Sequence, residues 1–101
     1  MAESQQTADV SALPIDQQME QILRTRLDVQ ELKITDISAN CGNSFSIVVV
    51  SKDFEKKGTL ARHRLINDML AAQIKFLHAF SQKTYTPAQW EVEKQKLAAS
   101  T

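Results

Sequence analysis

The sequence predicts an α+β fold, a three-stranded sheet with helices packed on it, and three observations carry that prediction. Apolar residues between Ile15 and Leu27 recur at helical spacing; those of Leu32–Ile34 and Phe45–Val49 alternate with polar ones on either side of a polar turn; and a helix-start signature stands at Thr86-Pro87-Ala88-Gln89. At 101 residues the chain has room for one core, since domains cluster near about 100–150 residues, so these elements belong to a single module.

Residues 1–12 are polar and hold too few apolar side chains to offset the entropy cost of ordering, so a flexible N-terminal tail is expected there. The domain is expected over 13–97, with 98–101 as a C-terminal tail. Ile15, Met19, Ile22, Leu23 and Leu27 fall at i, i+4, i+7, i+8 and i+12, one face of a first helix, and Pro14 is tolerated at its start. Leu32 and Ile34 alternate with Lys33 and Thr35, the run from Ser38 to Asn43 is a polar turn, and Phe45, Ile47 and Val49 alternate with Ser44 and Ser46. That pattern reads as two strands in a hairpin. Val48 and Val50 put apolar side chains on the second strand's other face, which makes it the more central of the two. Residues 52–58 read as a charged loop. Thr59 is the expected N-cap of a helix whose broad face carries Ala61, Leu65, Ile66, Met69, Leu70 and Gln73, with a break before Ile74. Residues 76–85 read as a third strand. Thr86 as N-cap, Pro87 at the first helical position and Gln89 at the third make a capping box, and Tyr85 and Trp90 are placed to clamp as a hydrophobic staple.

Composition excludes several classes. With 43% hydrophobic and 24% charged residues the chain is neither a disordered nor a fibrous sequence. Its longest apolar run, Ile47–Val50, falls far short of the roughly 18 residues of a membrane span, so no membrane association is expected. Residues 1–23 carry four acidic side chains and no Lys or Arg, the reverse of a transit peptide, and a cytoplasmic location, extending to the nucleus, is expected. Cys41 is the one cysteine, which rules out an internal disulfide and a CxxC…CxxC zinc site. The balance of 12 basic and 12 acidic residues hides an asymmetry: residues 24–101 hold 12 basic against 8 acidic side chains, so a mildly basic domain follows an acidic segment.

Five blocks make the sequence specific: Cys41-Gly42-Asn43-Ser44-Phe45-Ser46-Ile47-Val48-Val49-Val50-Ser51; Phe54-Glu55; Arg62-His63-Arg64-Leu65-Ile66-Asn67; Leu77-His78-Ala79-Phe80; and Lys83-Thr84-Tyr85-Thr86-Pro87-Ala88-Gln89-Trp90. Together and in this order, over about residues 15–92, they resemble the BolA family, most closely its cytosolic BolA2-like branch. The resemblance implies an α-β-β-α-α-β-α fold similar to the class II KH arrangement. It also implies a partner, a monothiol glutaredoxin, with which and with glutathione the chain would hold a bridging 2Fe-2S cluster in iron sensing or cluster delivery, as a heterodimer or heterotrimer. By position, the family's histidine falls on His78 and its variable Cys/His turn residue on Cys41, the two implied metal ligands.

The residue chemistry bears on this independently. A 2Fe-2S unit takes four ligands, and this chain owns one Cys and two His, so it cannot build such a site alone. Without the resemblance, Cys41 beside Gly42 reads as an ordinary surface thiol, and His78, between Leu77 and Ala79-Phe80, as a satisfied, partly buried imidazole. His63, flanked by Arg62 and Arg64, reads as a structural or interface residue ahead of a ligand. Arg62, Arg64, Lys56 and Lys57 read as a solvated basic face, or a surface that steers an acidic partner; Lys83 is grouped with these secondary candidates.

Two rival classes are weaker. A KH-like nucleic-acid-binding transcriptional regulator is suggested by the topology and the basic middle segment, but Gly42 and Gly58 form no GxxG clamp and the zero net charge gives little non-specific affinity for DNA. An enzyme would need a Cys41/His dyad with an orienting third group, and none is identifiable, so no catalytic activity is expected.

Overall fold

The computed structural model describes residues 13–38 and 43–99. Along them run α1 (Ile15–Arg26), β1 (Val29–Asp36), β2 (Ser44–Ser51), a 3-10 turn (Lys52–Phe54), α2 (Thr59–Met69), α3 (Ala71–Ile74), β3 (Ala79–Tyr85) and α4 (Pro87–Ala99), the expected α-β-β-α-α-β-α order. The expected tails lie largely outside the described residues, and α4 runs two residues past the expected boundary at 97.

The sheet order is β1-β2-β3, so the doubly apolar β2 is indeed central. β1 pairs with it antiparallel and β3 parallel. A parallel pair needs a crossover rather than a tight turn, and α2 and α3 supply it. Leu32↔Val49 and Ile34↔Ile47 on one side and Phe45↔Phe80 on the other set the register that turns one face inward. That face meets Met19 and Leu23 of α1 and Ile66 and Leu70 of the crossover, all fully buried. Asp16 in the first turn of α1 and Arg24 and Arg26 in its last complement the helix dipole.

The charged segment after β2 is more ordered than its composition suggests. Ser51 Oγ accepts from the Asp53 amide at 3.0 Å, Asp53 Oδ2 accepts from the Asp28 amide at 2.8 Å, and Phe54, the next residue, is fully buried. The return from this turn puts Lys56 at φ 68°, in the left-handed region.

Two expectations for the crossover are corrected. Gly58, not Thr59, occupies the N-cap position, without a side-chain cap bond, and Thr59 is the first helical residue. The buried face is also rotated: Ala61 is exposed, whereas Arg62 is only 7% exposed. The guanidinium can be buried because it is satisfied there, donating to the carbonyls of Lys57 (2.9 Å) and Thr84 (3.3 Å) and to Gln89 Oε1 (2.9 Å), with the Phe54 ring 5.8 Å away. Arg62 therefore leaves the solvated basic face and joins the packing between α2, β3 and α4.

A break is present but earlier than expected: Leu70 (φ −105°, ψ 16°) separates α2 from the single turn of α3, so Gln73 and Ile74 share that turn and no break falls between them. Buried Gln73 donates there to Gln18 of α1 at 3.0 Å. The third strand starts at Ala79 instead of 76. Phe76 precedes it and is 68% exposed, with Lys75 Nζ 5.3 Å from its ring centre.

The start of α4 is built as predicted. Thr86 Oγ1 accepts from the Gln89 amide at 3.2 Å while Gln89 Oε1 accepts from the Thr86 amide at 3.0 Å, a reciprocal capping box, and the Tyr85 and Trp90 rings meet at 5.3 Å. Burial at this junction, with Glu93 adding to it, pushes the Tyr85 phenol above its ordinary pKa. Among the described residues no helix is long and apolar enough to cross a membrane.

Candidate functional site

Where the broken crossover returns to the sheet, the chain leaves an open depression of about 740 Å³. Its floor is apolar, formed by Ala71, Ile74, Leu77 and Phe80. Each polar wall has a local origin. His63 and Asn67 stand one helical turn apart and so share a face of α2. Gln82 follows Phe80 by two residues in β3, so both side chains point to the same side of the sheet. Asn67 Oδ1 accepts from Gln82 Nε2 at 2.9 Å, which bolts α2 to β3 across the back of the depression. Gln82 Oε1 is buried and has no hydrogen-bond partner among the described residues. Lys75 and His78 complete the rim, and among the described residues no acidic side chain lines the depression.

His78 is exposed and sits immediately before β3. Its backbone N–H donates to the Asn43 carbonyl at 2.6 Å, one residue ahead of the Ser44↔Ala79 pair that opens the parallel ladder. That bond anchors the histidine beside the sheet end of the β1–β2 connection. Cys41 lies outside the described residues, two positions before Asn43 in the sequence.

The fold thus gathers His78 and half-buried His63 into one depression, although 15 positions separate them in the sequence. The other candidates are placed elsewhere. Arg62 is committed inside the protein, Arg64 is exposed and does not line the depression, and Lys83 is exposed on a strand position adjacent to Gln82, hence on the opposite face of the sheet. Sequence reasoning missed Asn67, Lys75 and Gln82. The i, i+4 relation of His63 to Asn67 and the two-residue step from Phe80 to Gln82 were the available signals.

Chemically, the site offers two imidazoles, one ammonium and a pair of amides over an apolar floor. Among the described residues no group of three His, Cys, Asp or Glu side chains is placed to hold a metal ion.

The BolA-like protein family matches residues 23–89. The chain is 45% identical to human BolA-like protein 2 over 75 residues, covering 73% of this chain and 87% of that protein. Among solved structures, a bol-like protein from Babesia bovis superposes with a TM-score of 0.68 at 45% identity, covering 75% of this chain and 88% of the other. Yeast Fra2 superposes with a TM-score of 0.63 at 37% identity, covering 77% and 84%.

Proposed function

The chain belongs to the BolA-like family, and on that premise we propose that it is an adaptor in iron–sulfur cluster trafficking and iron homeostasis, forming a 2Fe-2S-bridged heterocomplex with a monothiol glutaredoxin. The observation that carries this reading is the attachment of His78: an exposed imidazole at the edge of a depression, its own amide bonded to Asn43, two residues from the only cysteine. His78 and Cys41 are the ligands this chain contributes. The glutaredoxin cysteine and the glutathione thiol supply the other two, which removes the ligand deficit of a chain with one Cys and two His.

The cluster is cargo. Imidazole in place of thiolate raises a cluster's potential and lowers the negative charge of its ligand set, as in Rieske centres, which suits a site that releases or senses its load. The chain acts as carrier and not catalyst, in the cytoplasm and the nucleus. Co-expression with a monothiol glutaredoxin, followed by size-exclusion chromatography with iron and acid-labile sulfide analysis, tests the proposal. A coloured complex in which both proteins co-elute with iron and sulfide is expected. A colourless chain that never co-elutes with the glutaredoxin would contradict it.

A further inference from the structure

We infer that the free edge of β3 takes an extended peptide segment as a fourth, antiparallel strand, with an apolar side chain of that segment, flanked by acidic ones, entering the depression beside the edge. The inference goes beyond the cluster reading and requires neither a metal nor the glutaredoxin.

The backbone is the leading observation. β3 is the last strand of the order β1-β2-β3, so one of its sides meets no other strand. Which residues face that side follows from the register. Ile37 N–H donates to the Ser44 carbonyl at 2.9 Å, so Ser44 and, alternating from it, Ser46, Val48 and Val50 direct their backbone groups at β1. Phe45, Ile47 and Val49 are left to bond β3, where they meet the backbone groups of Ala79, Ser81 and Lys83. Phe80, Gln82 and Thr84 therefore turn their N–H and C=O outward. The Thr84 carbonyl accepts there from Arg62 of α2 at 3.3 Å, which closes the edge at that end. The main-chain groups of Phe80 and Gln82 are engaged by no hydrogen bond among the described residues.

Phe80 and Gln82 stand about 6.6 Å apart along the strand, each with a donor and an acceptor, which is the spacing at which an antiparallel chain offers its own. An unpaired edge of this kind is a template for another chain, and its main-chain bonds select an extended peptide whatever that peptide's side chains. The depression of about 740 Å³ supplies the side-chain preference, because the side chains of Phe80 and Gln82 point to its side of the sheet and both line it. A peptide residue paired with either points the same way, onto the apolar floor of Ala71, Ile74 and Leu77. Charge is the last observation. Lys75 stands on the rim with two imidazoles, and among the described residues no acidic side chain lines the depression, so acidic neighbours of the apolar residue are favoured.

The test titrates the metal-free full-length chain, labelled with nitrogen-15, with acetyl-Asp-Val-Leu-Val-Asp-amide at neutral pH and low salt. In this peptide the leucine and both aspartates share one side of the extended chain and the valines the other. In the free protein the Phe80 and Gln82 amides should exchange hydrogen quickly and those of Ser81 and Lys83 slowly. On binding, saturable shifts and new protection are expected at Phe80 and Gln82. The same peptide N-methylated at its leucine keeps every side chain but loses a donor to the edge, and should bind roughly tenfold more weakly, the effect of one well-made hydrogen bond. Lys75→Gln, at an exposed position that leaves folding intact, should weaken binding and flatten its salt dependence. Absence of saturable shifts, an N-methylated peptide that binds as tightly as the parent peptide, or undiminished binding to Lys75→Gln overturns the inference. Displacement of the peptide by hexathymidylate also overturns it, because the edge would then be a nucleic-acid groove. The coloured complex with glutaredoxin is scored separately: a complex that forms normally while the titration stays flat refutes the strand addition and leaves the proposed function standing.

Discussion

Arg62 and His78 have exchanged the environments that their neighbours suggest. Arg62, in a run with Arg64, is buried, because Lys57, Thr84 and Gln89 offer its forked donors three acceptors. His78, flanked by apolar side chains, is exposed, because β3 begins one residue later and the hydrogen bond to Asn43 is made by its backbone. Arg62→Ala should therefore destabilise the protein by about 2–3 kcal/mol, by leaving buried acceptors unpaired and a void beside Phe54, whereas Arg64→Ala should change stability by less than about 0.5 kcal/mol. Thermal or denaturant unfolding of the two variants checks this, and equal costs would show that the buried guanidinium contributes nothing. At this scale the site was half legible. His78 and His63 stand in distinctive blocks, but Gln82 and Asn67 are ordinary amides whose significance arises only when α2 is laid against β3.

The elements that the sequence announced most clearly are those in which all the partners are local. The capping box needs only Thr86 and Gln89, and both of its bonds are made. Thr86→Ala should cost about 1 kcal/mol of stability, within the range for N-cap removal, and Thr86→Ser should recover most of it; a neutral Thr86→Ala would mean that water replaces the cap. The start of α2 was harder to read because Gly58 and Thr59 are both acceptable cap residues, and the backbone assigned the position to the glycine. The segment between β2 and α2 was read as a charged loop because six of its seven residues hide one buried aromatic, Phe54. The tight return after it leaves Lys56 in the left-handed region, where a side chain is strained and glycine is not. Lys56→Gly is accordingly expected to raise stability by about 0.5–1 kcal/mol in urea unfolding, and a loss of stability would place the strain elsewhere.

For the molecule as a whole, helical and strand periodicity and the length of the chain were enough to give the element order. They were not enough to give the parity of β3 or the position of its first residue, since either alternation of 76–85 is apolar on one side. The parallel pairing of β3 with β2 settles both, and it is this pairing that carries His78 to Asn43 and sets Gln82 opposite Asn67. The same topology brings the two histidines to one depression: His63 arrives on the crossover helix and His78 immediately before the strand that follows it. A nucleic-acid role would instead call for a backbone clamp, yet Gly58 caps a helix and the net charge is zero.

The shared donor set is the central claim, and the visible circular dichroism of the glutaredoxin complex tests it most directly, because those bands arise from the ligands around the cluster. Complexes prepared with the parent chain and with His78→Ala, matched for iron content, are to be compared, with amide spectra showing that the variant is folded. The account predicts that His78→Ala loses the complex or yields a distinctly different visible spectrum. A His78→Ala complex with the parent's spectrum and iron content would contradict it.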